Sequence, residues 1–185
     1  MLKVRISNNN TPADIVYDLL EIEKKAYLPH HRGEFLSIKR RFEKNKEMLA
    51  LIYDDSRLAG YLCFFPVSKE LHDEIASKGL FRDDDIQPED VAEYTACTYL
   101  YIISVAVAPD YQNGTAARML TQAMWDFLKK KEEEGVFVQD ITAAAVTSDG
   151  ERFLYRTGLE MIHDHGDKGY KIFRMDRRRL EDVLH

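Results

Sequence analysis

Residues 99–127, YLYIISVAVAPDYQNGTAARMLTQAMWDF, constrain this chain more than any other stretch. The first nine, all but Leu100 of them β-branched, aromatic or small, carry no charge, which predicts a buried central strand. The run breaks at Pro109-Asp110-Tyr111-Gln112-Asn113-Gly114, a turn. Beyond it Ala117, Leu120, Met124, Phe127 and Leu128 recur at helical spacing and form one apolar stripe. A strand that passes through a small-residue turn into a helix gathers backbone N–H groups and the positive end of a helix dipole at one point. Such a point favours an anion.

Two familiar phosphate sites are missing from the turn. No Lys-Ser/Thr pair follows Gly114, so it is not a P-loop for a nucleoside triphosphate and Mg²⁺. No GxGxxG occurs, so dinucleotide binding lacks support. What is left is a cradle of main-chain donors, in which the small residues Gly114, Thr115, Ala116 and Ala117 let an anion come close.

The rest of the chain sets the frame for that turn. A length of 185 residues suits a single domain, residues 1–185, with a sizeable core. The N-terminal MLKVRISNNN lacks the apolar segment of a signal peptide, and no stretch is long and apolar enough to span a membrane. Cys63 and Cys97 lie far from any metal-ligand spacing and read as reduced thiols of a cytoplasmic protein. A net charge of −6 argues against a nucleic-acid partner and is compatible with a cationic substrate.

Taken in order, residues 2–6 alternate apolar and charged and predict a half-exposed first strand. Thr11-Pro12 predicts an N-cap and a proline at the first helical position, with a helix running to about Tyr27 and stopped by Pro29. A polar loop, His30-His31-Arg32-Gly33, leads to a second helix over 34–45, with Phe35, Ile38 and Phe42 inward. Residues 48–53 and 58–65 predict a hairpin whose second strand closes at Pro66. A helix over 69–78 ends at Gly79, and an acidic, exposed segment follows at 82–90. After the central strand and its helix come a strand over 138–146, a short helix over 151–157 closed by Gly158, a hairpin of 160–165 with 170–176, and a helical tail over 177–184.

The segment from Val105 to Leu120 resembles the acetyl-CoA-binding motif of the GNAT acetyltransferase superfamily: a strand ending near a proline, then Arg/Gln-x-x-Gly-x-Gly/Ala at the start of the helix. Gln112 stands at the first polar position and Ala117 at the last, while Thr115 replaces the usual glycine. A second piece, Phe153-Leu154-Tyr155-Arg156-Thr157-Gly158-Leu159, is similar to the family's Phe-Tyr-x-x-x-Gly-Phe. The resemblance covers nearly the whole chain, with one extra helix between the third and fourth strands. It implies an α/β fold with a mixed, mostly antiparallel open sheet, splayed central strands and flanking helices.

The same resemblance implies where acetyl-CoA, an acyl-donor co-substrate needing no metal, would lie. Its pyrophosphate would meet the amides of Gln112, Asn113, Gly114, Thr115, Ala116 and Ala117. Its pantetheine arm would follow Ser104, Val105, Ala106 and Val107, and the N–H near Val107 would polarise the thioester carbonyl. Acyl transfer to an amine needs a base for the amine and an acid for the departing thiolate. The family often places a Tyr directly after the Phe of the second motif. Here Leu154 holds that place, so Tyr155, one residue on, is the candidate acid, with ordered water as the alternative. Some members carry a Glu where this chain has Tyr101, a phenol too weak as a base near neutral pH. Tyr101 shaping the pocket or holding a water, and Glu93 drawing a proton through that water, are the readings left open.

His30 and His31 fall in the loop where the family lines its acceptor pocket. His163 and His165 share one face of a strand but lack a third ligand at fixed spacing, so no metal is expected. The leading expectation is an N-acetyltransferase acting on a primary amine of a small molecule or peptide. A non-catalytic acyl-CoA-binding or regulatory module on the same fold is the alternative, and a ligand-free interaction domain the third. A homodimer through the last strands stays open.

Overall fold

The structure, a computed structural model, describes residues 1–80, 85–112 and 114–185. Its strands are β1 (Leu2–Ile6), β2 (Leu49–Asp54), β3 (Arg57–Val67), β4 (Thr98–Val107), β5 (Val138–Ala145), β6 (Glu160–His165) and β7 (Tyr170–Asp176). Its α-helices are α1 (Ile15–Ala26), α2 (Phe35–Lys44), α3 (Lys69–Lys78), α4 (Thr115–Glu133), α5 (Ser148–Thr157) and α6 (Arg177–Leu184). The strands form one sheet in the order β1-β2-β3-β4-β5-β7-β6. β4 and β5 run parallel, and the pairs β1–β2, β2–β3, β5–β7 and β6–β7 are antiparallel, giving the expected mixed, mostly antiparallel open sheet.

Two compact units divide the chain: Met1–Cys63 with Ser104–Phe127, and Phe64–Ile103 with Leu128–His185. In the first, β1 lies on β2 from Leu2↔Asp54 to Ile6↔Ala50, and β2 on β3 from Leu49↔Cys63 to Asp54↔Arg57. Ile15, Leu19 and Ile22 put one face of α1 into the core, as their spacing predicts. α1 starts later than Thr11-Pro12 suggests. The preceding turn is closed by bonds from Ile15 to Pro12, Val16 to Ala13 and Tyr17 to Asp14, the tighter i→i−3 pattern common at helix starts. Phe35, expected inward, instead stacks on Tyr17 at 4.4 Å.

In the second unit, β5 pairs with β4 along Thr98–Ile102 and with β7 from Asp140↔Asp176 to Ala145↔Lys171. β3 continues past Pro66 to Val67 rather than stopping before it. The proline is tolerated because the contact made there uses its carbonyl, which accepts from Ala92 N at 2.8 Å, and not the N–H it lacks. α3 carries a Ser68 cap accepting from Leu71 N at 3.1 Å and ends on Gly79 with φ +66°. The acidic segment read from the sequence falls partly outside the described residues, at Arg82, Asp83 and Asp84.

Candidate active site

The first unit holds the strand end, the turn and the start of α4. The amide of Ala108 donates to Ala59 O at 2.8 Å, which ties the end of β4 to β3. Backbone groups alternate along a strand, so those of Val105 and Val107 point the other way. Val107 O accepts from the Gln112 side chain at 2.8 Å, and Val105 O accepts from the Tyr27 hydroxyl. Both carbonyls on that side of the strand are therefore engaged by side chains from the turn and from α1.

The turn is pinned from below. Tyr111 OH donates to Asp54 at 3.1 Å, and Arg57 pairs with Asp110 at 3.7 Å. Partial burial, then the bond to Asp54, raises the Tyr111 phenol above its ordinary value. The N-terminal ammonium first, and Tyr111 second, lower the Asp54 carboxyl. Gly114 takes φ +85°, a conformation that side chains resist, and its carbonyl accepts a helical bond from Arg118 N at 3.2 Å. The amides of Thr115, Ala116 and Ala117 precede that bond, at the positive end of the 19-residue α4. Gln112, Gly114, Thr115, Ala116 and Ala117 thus follow Ser104, Val105, Ala106 and Val107 within a single unit, and Asn113 lies outside the described residues.

His30 and His31 belong to the same unit, on a 3₁₀ turn over Pro29–His31 with ring centres 4.1 Å apart. Beside them sits a group that periodicity alone passes over. Glu23 is 4% exposed on the buried face of α1. Its carboxylate accepts from Gly33 N at 2.9 Å and from the Tyr61 hydroxyl, which in turn accepts from Ser104 Oγ at 2.9 Å. Burial first, and the Glu23 charge next, push the Tyr61 phenol well above its usual value. A signal for Glu23 was present: it lies four residues after Leu19, inside the apolar stripe.

The remaining sequence candidates belong to the second unit. Tyr155, on α5, is 47% exposed, its ring edge-on to Phe173 at 5.0 Å. Tyr101 is fully buried and packs against Phe65 at 6.3 Å, while Glu93 is exposed. His163 bonds the Ala76 carbonyl at 2.9 Å, and among the described residues no group of three or more metal-type side chains converges. No described helix is long and apolar enough to cross a membrane.

An open, mostly antiparallel sheet whose β4 leads through a glycine turn into the 19-residue α4 defines the class of the fold, an α/β protein. The chain belongs to the acetyltransferase (GNAT) family, whose family model matches residues 15–148, and it is an enzyme of the GNAT acyltransferase type. No curated protein matches it by sequence. Among solved structures it is similar to the GNAT-like decarboxylase GphF in complex with isobutyryl-CoA, at 11% identity and TM-score 0.71, with 95% of this chain and 100% of that one covered. It is similar to the loading GNATL domain of CurA from Lyngbya majuscula, at 14% identity, TM-score 0.68, covering 96% and 98%. The ribosomal-protein-S18-alanine N-acetyltransferase from Escherichia coli gives 12% identity, TM-score 0.59, covering 96% and 94%. At such identities these likenesses speak for the fold.

Proposed function

We propose that this protein transfers an acetyl group from acetyl-CoA to a primary amine of a small molecule or peptide, as a single cytoplasmic domain. The observation that carries the reading is Gly114 at φ +85° opening α4, after β4 and the Pro109–Tyr111 turn and in the same unit. A diphosphate suits that end of the helix, since the dipole and the N–H groups both favour negative charge. From there a pantetheine arm runs back along β4 past Val107 toward Ser104, so that the thioester lies along Ser104–Val107. A GNAT-like relative holding isobutyryl-CoA supports acyl-CoA as the donor, and an alanine N-acetyltransferase of the same fold supports an amine as acceptor. The thioester is already activated, so orientation supplies much of the rate.

Calorimetry with CoA tests the donor site. Wild type binds, and Thr115→Glu, which sets a carboxylate among the amides, abolishes the heat; retained affinity in the variant removes the cradle. Tyr155 is proposed as the acid for the thiolate, Tyr101 as shaping the pocket or holding a water, Glu93 as drawing a proton through that water, and His30 and His31 as acceptor contacts. Tyr155→Phe then slows CoA release in an amine assay with CoA affinity unchanged, and an unaltered rate assigns protonation elsewhere. Analytical ultracentrifugation decides whether a homodimer forms.

A further inference from the structure

We propose that Ser104, Tyr61 and Glu23 form a proton relay that takes the proton from the attacking amine, with Glu23 as its final acceptor. The inference rests on the amine-acylation reading above and names the base that the central strand does not supply. Every link lies within the first unit. Ser104 is half-buried on β4, beyond the stretch Thr98–Ile102 that pairs with β5. Its hydroxyl donates to Tyr61 O at 2.9 Å, and the Tyr61 hydroxyl donates to Glu23. Each hydroxyl has its proton aimed inward, so the Ser104 oxygen is left as an acceptor. An ammonium or a newly bonded nitrogen is what an oxygen so oriented can receive.

The step balances. The ammonium's proton passes to Ser104 Oγ, and the freed nitrogen lone pair bonds the thioester carbon. The Ser104 proton passes to Tyr61 O, and the Tyr61 proton to the Glu23 carboxylate. The C–S electron pair leaves on the CoA sulfur, which takes the second proton that the nitrogen sheds as the amide forms. Glu23 ends as a carboxylic acid and resets by losing its proton to solvent beside Gly33, an exposed residue of the His30–Gly33 loop. Tyr61 never needs to be a free phenolate, because it gives a proton as it takes one. A buried phenol held in its neutral form suits that role.

The groups facing Glu23 agree with this assignment. Among the described residues its hydrogen-bond partners are a backbone amide and a hydroxyl, both neutral. Tyr27, the residue just past the end of α1, holds Val105 O next to Ser104, which keeps α1 and β4 together. Ser104 is the catalytic residue here, and Tyr61 and Glu23 act through it. The competing account is a polar pin that only secures α1 to β4.

Two amines separate the accounts. Ethylamine is protonated near neutral pH and must lose a proton to react; trifluoroethylamine is largely neutral. CoA release from acetyl-CoA is followed with each, for wild type, Glu23→Gln, Tyr61→Phe and Ser104→Ala, alongside CoA affinity by calorimetry. The relay predicts a loss of about 10²-fold with ethylamine and less than about 10-fold with trifluoroethylamine in each variant, at unchanged CoA affinity. Equal losses with both amines, or none, overturn the relay and leave the acylation reading standing. A wild-type protein that binds CoA but acylates neither amine overturns the acylation reading and the relay with it. Tyr27→Phe, which weakens only the pin, is expected to lower thermal stability without changing the ratio of the two rates.

Discussion

Glu23 in the first unit and Asp140 in the second are both carboxylates held almost out of water, yet they are answered in opposite ways. Asp140, on β5, takes the Arg174 guanidinium: Nε reaches Oδ2 at 2.7 Å, and a second nitrogen of the same group bonds the same oxygen. That bond raises Arg174 further above its ordinary value. His72 of α3 faces the other oxygen at 3.4 Å, outside hydrogen-bond geometry. Among the described residues, the donors to Glu23 are neutral. An arginine fixes a charge and has no proton to pass, so Asp140 is a clamp between β5 and β7. A hydroxyl holds a carboxylate in place while keeping a proton on the line between them, so Glu23 is placed to receive one. Burial is alike at the two sites, and the partner's chemistry separates them.

The largest expected effect would break the comparison at its clamp. Asp140→Ala leaves Arg174 without its acceptor and should cost about 2 kcal/mol in urea unfolding. That is less than a fully buried pair would lose, because the arginine side chain is 43% exposed and can turn to water. Glu23→Gln keeps a neutral partner for Tyr61 and should cost about 1 kcal/mol by the same measurement. If Glu23→Gln proves the more destabilising, Glu23 is the structural group and the contrast is reversed.

The pH dependence of stability sharpens the contrast. Tyr61 has a raised folded-state value, so its contribution is intact below about pH 10, where the unfolded phenol begins to ionise, and is lost as pH climbs toward the folded value. In that alkaline window it adds a slope of up to about 1.4 kcal/mol per pH unit, which Tyr61→Phe should remove from unfolding curves. The smallest effect is expected beside the clamp. Asp73 is lowered by Lys69 first and His72 second, so its contribution is present above about pH 4 and fades as pH falls through the folded value. Asp73→Asn should therefore lower neutral-pH stability slightly and flatten the acid limb, with stability below the folded value left where it is.

Much of the fold was legible because the signals are local. α3 runs Lys69–Lys78 and stops at Gly79, and β6 and β7 fall where the alternation and glycines put them. The errors sit where a neighbour overrides the local signal. Thr11 reads as a helix cap, but its hydroxyl accepts from Asn8 N at 3.1 Å and α1 begins at Ile15. Pro66 reads as a strand end, but β3 needs only its carbonyl there. At the candidate site the turn from Gln112 to Ala117 was visible as a motif, while Tyr61 was hidden in the apolar run of β3.

Order of elements, the glycine turn and the apolar face of α4 follow from residue spacing, since each depends on neighbours within one or two turns of chain. The joining of Glu23 to Tyr61, 38 residues on, and of Tyr61 to Ser104, 43 further, came from packing. A carboxylate inside an apolar stripe is unfavourable until distant donors meet it, and no local pattern reports which donors those are.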